Sequence, residues 1–190
     1  GSEMCIRDSW CIEEDAGRIN EILSFHSSLL PEERLNSPKT CFGMEIQKTS
    51  DTVLKKLTEG ETLVFGLLTD SHYVVNGTWG DTLANISAVN DRVGFDGLIH
   101  LGDLQDGMLD KKMCRRIATK CISDMRHICE PLYMTIGNHD TNYFKGNTEW
   151  LTEAEQYGLY GRFMDNYVCR ENKMAGTMWI IPVSYTHLRA

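Results

Sequence analysis

Three short polar clusters each close an apolar run: Asp70-Ser71-His72, Gly102-Asp103-Leu104-Gln105-Asp106 and Gly137-Asn138-His139-Asp140. Singly, the first two say little, because Asp-x-His arises about 0.4 times and Gly-Asp about once by chance at this composition. The tetrapeptide Gly-Asn-His-Asp is expected only about 0.002 times, so it is specific. Carboxylate, imidazole and amide oxygen together suit two divalent ions of intermediate hardness (manganese, iron or zinc), and the lack of neighbouring thiolates disfavours a structural zinc site. A carboxylate can bridge two ions. Two ions about 3.5–4 Å apart acidify a bound water and neutralise charge on a phosphoryl group. Asp103, in the middle cluster, is placed to bridge.

These clusters need elements that bring them together. Asp51 to Leu57 reads as a short helix stopped by Gly60, and 62–69 as a buried strand ending at Asp70. Asp81 or Thr82 can cap a helix carrying Leu83, Ile86, Val89 and Val93, followed by an apolar strand from Phe95 to Leu101. Met113, Ile117, Cys121, Met125 and Ile128 recur at helical spacing, and Pro131 ends that helix before a third strand, Leu132 to Ile136. The order β-α-β-α-β predicts an α/β fold with a mostly parallel sheet, in which ligands gather beyond the carboxyl ends of the strands. Thr148 to Tyr157 reads as helix, Gly158 to Asn172 as loop, and Thr177 to Ile181 as a fourth strand. No repeat or low-complexity tract interrupts the chain.

Composition sets the outer limits. The chain has 190 residues, is 42% hydrophobic and carries a net charge of −8 from 19 basic and 27 acidic residues, the profile of a soluble globular protein. No apolar run reaches the roughly 18 residues that span a bilayer, and no secretion signal opens the sequence, so the expected location is cytoplasmic, without a membrane partner. Seven cysteines without a Cys-x-x-Cys pair read as reduced residues rather than a disulfide framework. The acidic balance and the lack of a basic stripe disfavour nucleic acid, though acidic residues gathered around metal ions do not repel a phosphate ligand.

Asp-x-His, Gly-Asp-x-x-Asp and Gly-Asn-His-Asp, in this order and each after a strand, resemble the calcineurin-like metallophosphoesterase superfamily over residues 62–140, and more weakly to about 182. The resemblance implies a partial metallophosphoesterase-type αββα sandwich. It makes Asp70 and His72 ligands of a first metal, Asp103 the bridging ligand and Asn138 a ligand of a second metal. It turns His139 toward the substrate, as the group that stabilises the transition state or protonates the leaving oxygen, with Asp106 as the carboxylate that orients it. The implied reaction is hydrolysis of a small-molecule phosphoester by a metal-bound hydroxide. Monoester and diester both remain open.

The pattern departs from the family at its far end. A later histidine-bearing strand and a Gly-His-x-His loop are expected, but the histidines are His26, His72, His100, His127, His139 and His187. The reading is therefore a fragment of the catalytic domain that binds metal weakly and hydrolyses poorly alone. Residues 1–9 and 183–190 resemble translated sequencing-adapter stretches and are set aside, 10–49 form a leader of uncertain role, and 50–182 carry the domain. The alternative function is a non-catalytic scaffold of the same fold, against which the intact early clusters count.

Other residues have plainer readings. His100, inside a strand, reads as a hydrogen-bonded core histidine, and His127 as solvated. Lys111 to Arg116 read as a solvated helix face. Asp140 is balanced between a turn cap and a metal contact. Tyr73, Asn76 and Trp79 follow the first cluster and are candidates to line a substrate pocket.

Overall fold

A computed structural model describes residues 37–60, 62–165, 169–170 and 179–180. Both end segments and most of the leader, including Ile19 to Leu23, whose pattern fits a short helix, lie outside the described residues.

The first regular element after a 3-10 turn at Thr40–Phe42 is helix α1, Gly43–Leu57. It starts eight residues before the expected Asp51 and crosses the boundary drawn between leader and domain. Its charges favour this length: Glu45 lies in the first turn and Lys55 and Lys56 in the last, each complementing the helix dipole. Ile46 and Ser50, one turn apart, are its buried residues.

Strands β1 (Phe65–Leu68), β2 (Gly97–His100) and β3 (Leu132–Met134) form a parallel sheet in the order β1-β2-β3. Between them lie a single turn α2 (Tyr73–Asn76), helix α3 (Trp79–Val93) and helix α4 (Lys111–Ile128). The expected β-α-β-α-β parallel arrangement is present. Helix α3 begins at Trp79, ahead of the expected Asp81 or Thr82 cap, with Thr78 at its N-cap. Helix α4 has a side-chain cap, with the Asp110 carboxylate accepting from the Met113 N–H at 2.8 Å.

Register explains where the core sits. Gly66, Leu98 and Leu132 align across the sheet, as do Leu68, His100 and Met134, so both rows point to one face. That face packs against Leu83 of α3 and Ile117, Cys121 and Met125 of α4, together with Tyr160 and Met164. Burial of each such large apolar side chain stabilises the fold by about 1.5–3 kcal/mol. The opposite face carries Phe65 and Leu67, 42% and 59% exposed, so β1 is half-covered among the described residues rather than buried as expected.

Beyond β3 the chain departs from the expected helix over 148–157. Thr152 and Glu155 form a capping box for a single turn α5, Glu153–Gln156. A π-turn at Tyr157–Gly161 and a 3-10 turn at Arg162–Met164 then occupy part of the expected loop. This run carries Tyr160 and Met164 into the core, and that burial selects regular structure where a loop was expected. Short strands β4 (Cys169–Arg170) and β5 (Trp179–Ile180) pair antiparallel; β5 falls in the expected fourth strand and β4 in the expected loop. No helix among the described residues is long and apolar enough to cross a membrane.

Candidate metal centre

The parallel sheet sends all three polar clusters off the same edge, and main-chain hydrogen bonds join their turns. Asp70 N–H donates to Gly102 O, His72 N–H to Asp103 O and Tyr73 N–H to Leu104 O, each at 3.1 Å. The turns need unusual backbone: Asp70, His72 and Asp103 have φ of 49°, 38° and 53°. A non-glycine residue there carries strain of about 1–3 kcal/mol, sustained only when its surroundings hold it.

Glycine is required at two points. Gly102 has φ of 102°, and a Cβ on it would strike the main chain of Gly137. A Cβ on Gly137 would fall on the Asp103 carboxylate. The middle and third clusters thus approach backbone to backbone. There the buried Asp140 carboxylate collects four N–H groups: Asp103 at 2.8 Å, Leu104 at 2.9 Å, Gly137 at 3.0 Å and Gln105 at 3.3 Å. Burial pushes its carboxyl up to about 7, against the pull of the backbone donors toward the ionised form. Asp140 is therefore an anchor between two turns, which resolves the balance left between cap and metal contact.

Ligand atoms of His72, Asp103 and His139 lie within 4.8 Å of one another. The Asp103 carboxylate accepts the His139 main-chain N–H at 2.9 Å, and the His72 and His139 rings stand 5.0 Å apart, edge to face. The half-exposed Asp70 carboxylate is 4.0 Å from His72 Nε2. Asn138 is exposed, at the start of the 3-10 turn His139–Thr141. Of the expected ligands, the geometry brings His72 and Asp103 together directly, sets Asp70 beside them and leaves Asn138 at the rim. It adds His139, expected to face substrate, to the convergent group.

Asp106 differs most from expectation. Its carboxylate does not meet the His139 ring: it lies 3.3 Å from His72 Nδ1 and accepts the Val74 N–H at 2.9 Å. His139 Nδ1–H instead donates to the Asp106 main-chain carbonyl at 3.1 Å. The reason is spatial, since Asp106 follows the bend at Asp103 and turns its side chain back under the first cluster. The Asp106 carboxylate raises the His72 pKa, opposed by burial and aided by Asp103 and Asp70.

The donor chemistry fits divalent cations, because two imidazoles and a carboxylate converge and carboxylates hold His72 toward its protonated form, a role a cation can take over. The calcineurin-like phosphoesterase family matches residues 63–178, more than half of the chain. The chain belongs to this family. Comparison with curated proteins gives no match, and comparison with solved structures gives none.

In this calcineurin-like phosphoesterase the nearby candidates take other roles. Trp79 is 5% exposed and donates its indole N–H to Asp124 at 3.0 Å, so it ties α3 to α4 instead of lining a pocket. Asn76 donates to the main-chain carbonyls of Asp70 and Ser71 at 3.2 and 3.0 Å and braces the first turn. The half-buried Tyr73 packs on Trp79, and burial pushes its hydroxyl up to about 12. His127 is exposed, with Nδ1–H donating to Ser123 O at 2.7 Å. Sequence reasoning missed the tie between Ser71 and His100, 2.9 Å apart; a histidine two residues before Gly-Asp on a buried strand was its only signal. Cys114 and Cys121 are free thiols whose pKa burial raises, which makes them packing residues.

Proposed function

We propose that this phosphoesterase hydrolyses small phosphoesters at a dinuclear metal site formed by Asp70, His72, Asp103 and Asn138, with His139 beside the reacting phosphoryl group. The observation that carries the reading is the convergence of the His72, Asp103 and His139 ligand atoms within 4.8 Å at the edge where three strands end. Divalent cations held there supply Lewis acidity, which acidifies water and neutralises phosphoryl charge.

The chain's own residues supply position and protons. Asp106 fixes the His72 ring through Nδ1, leaving Nε2 toward Asp70 and the site. The Asp103 side chain is clamped between the Gly137 backbone and the His139 N–H, suiting it to a bridging position. His139 binds the Asp106 carbonyl through Nδ1–H, which directs its Nε2 as the atom to bind or protonate a leaving-group oxygen.

The test is hydrolysis of bis(p-nitrophenyl) phosphate with manganese, alongside calorimetric titration of manganese. Slow metal-dependent turnover and weak binding are expected, both abolished by Asp103→Asn. Equal rates and equal heats in the two proteins would overturn the proposal in favour of a scaffold.

A further inference from the structure

We infer that His100 is a positioning residue that fixes the Asp70-Ser71-His72 turn against the Gly102-Asp103 turn and so sets the spacing of the metal ligands. The inference rests on the metal-centre reading above.

His100 closes β2, is fully buried and shares the covered face of the sheet with Leu68 and Met134. Its ring is engaged at both nitrogens. The Gly102 N–H donates to Nδ1 at 3.2 Å, which makes Nδ1 an acceptor and puts the ring proton on Nε2. Nε2–H then donates to Ser71 Oγ at 2.9 Å. In this tautomer the ring cannot take a proton from Ser71, so the pair is a strut and not a nucleophile with its base.

The strut joins the two places that need one. Ser71 stands between Asp70 and His72, and Gly102 precedes Asp103; Asp70, His72, Gly102 and Asp103 all have positive φ. Left to local preference, Asp70, His72 and Asp103 would leave that region. The other ties between the two clusters are main-chain hydrogen bonds and the Asp106 carboxylate, which meets His72 Nδ1 and the Val74 N–H. The imidazole adds a connection rooted in the packed interior, so ligand spacing follows the position of β2. Residues that orient metal ligands from behind are worth about 10–100-fold in metal affinity.

The experiment is amide hydrogen exchange in the metal-free protein combined with calorimetric titration of manganese, on wild type, Ser71→Ala, Ser71→Thr and His100→Gln. Ser71→Ala removes one end of the strut at a partly exposed position and leaves the sheet core intact, so it carries the test even where a His100 variant fails to fold. The expected result is faster exchange at the Asp70 and His72 amides and about tenfold weaker manganese binding in Ser71→Ala. Ser71→Thr, which keeps the hydroxyl, restores both. Unchanged exchange at both amides overturns the inference, as does unchanged affinity where the wild type binds manganese. A wild type that binds no manganese defeats the metal-centre reading, and the metal-free exchange data still decide the role of His100.

Discussion

The Asp106 carboxylate lies 3.3 Å from Nδ1 of His72, while the main-chain carbonyl of Asp106 accepts from Nδ1 of His139. One residue therefore orients two imidazoles on different strand ends, each through its Nδ1. Carboxylate–histidine pairs of this kind hold a ring in place and raise its basicity. Asp106→Asn keeps the shape and removes the charge. Since the carboxylate is the main cause of the raised His72 pKa, the His72 titration midpoint in the metal-free variant should fall. Manganese affinity should fall about 10–100-fold. Proton NMR of the ring and calorimetry check the two halves separately. An unmoved midpoint would show that Asp106 does not govern His72.

Gly137 tests whether the clamp on Asp103 is steric. Its φ is not in the left-handed region, so Gly137→Ala imposes no backbone penalty, yet the new methyl would meet the Asp103 carboxylate and main-chain nitrogen. Overpacking of this kind costs about 1–3 kcal/mol. The variant should melt below wild type and lose manganese binding, as read by calorimetry and thermal unfolding. Unchanged binding would mean that the Asp103 turn moves without loss.

How much of this was legible beforehand follows from what each signal depends on. The Gly-Asn-His-Asp tetrapeptide, the strand before it and the parallel order come from local pattern, and the structure places them as read. The early start of α1 was hidden because its stretch is mostly exposed, with only Ile46 and Ser50 buried, so little apolar periodicity marks it. The pairing of Asp106 with His72 was hidden for a different reason. Spacing places Asp106 near both histidines, but the backbone at Asp103 decides which one its carboxylate meets. The same holds for Asp140, whose four backbone partners lie on two turns that only tertiary structure brings together.

His100 makes acid stability a measurement of burial. Desolvation lowers its pKa to about 4 from 6.5, so the folded state resists a proton that the unfolded chain accepts. This contribution is whole above pH 6.5 and is lost as pH falls toward 4, amounting to about 3 kcal/mol. Asp140 works in the opposite direction: with its carboxyl raised to about 7, it favours the folded state as pH falls from 7 toward 3.8. The wild-type profile is therefore the sum of two opposed slopes. Urea unfolding of wild type and His100→Gln between pH 7 and 4 separates them: the deficit of the variant at pH 7 should shrink as acid is added. A deficit independent of pH would show that His100 is not held neutral.

Metal binding should also be visible as folding stability, because the three strand ends that carry the ligands are apart in the unfolded chain. A cation bound only by the folded state adds RT ln(1 + [L]/Kd), about 1.4 kcal/mol when manganese stands tenfold above Kd. For a chain of this size that is roughly 3–6 °C in Tm. The gain should vanish with a chelator and be absent from Asp103→Asn, in which the central carboxylate is neutral. Magnesium, which demands oxygen ligands and holds its waters, should give a smaller shift than manganese at a site containing two imidazoles. A shift of equal size from both ions, retained in Asp103→Asn, would point to the acidic surface of a chain with net charge −8 instead of this site.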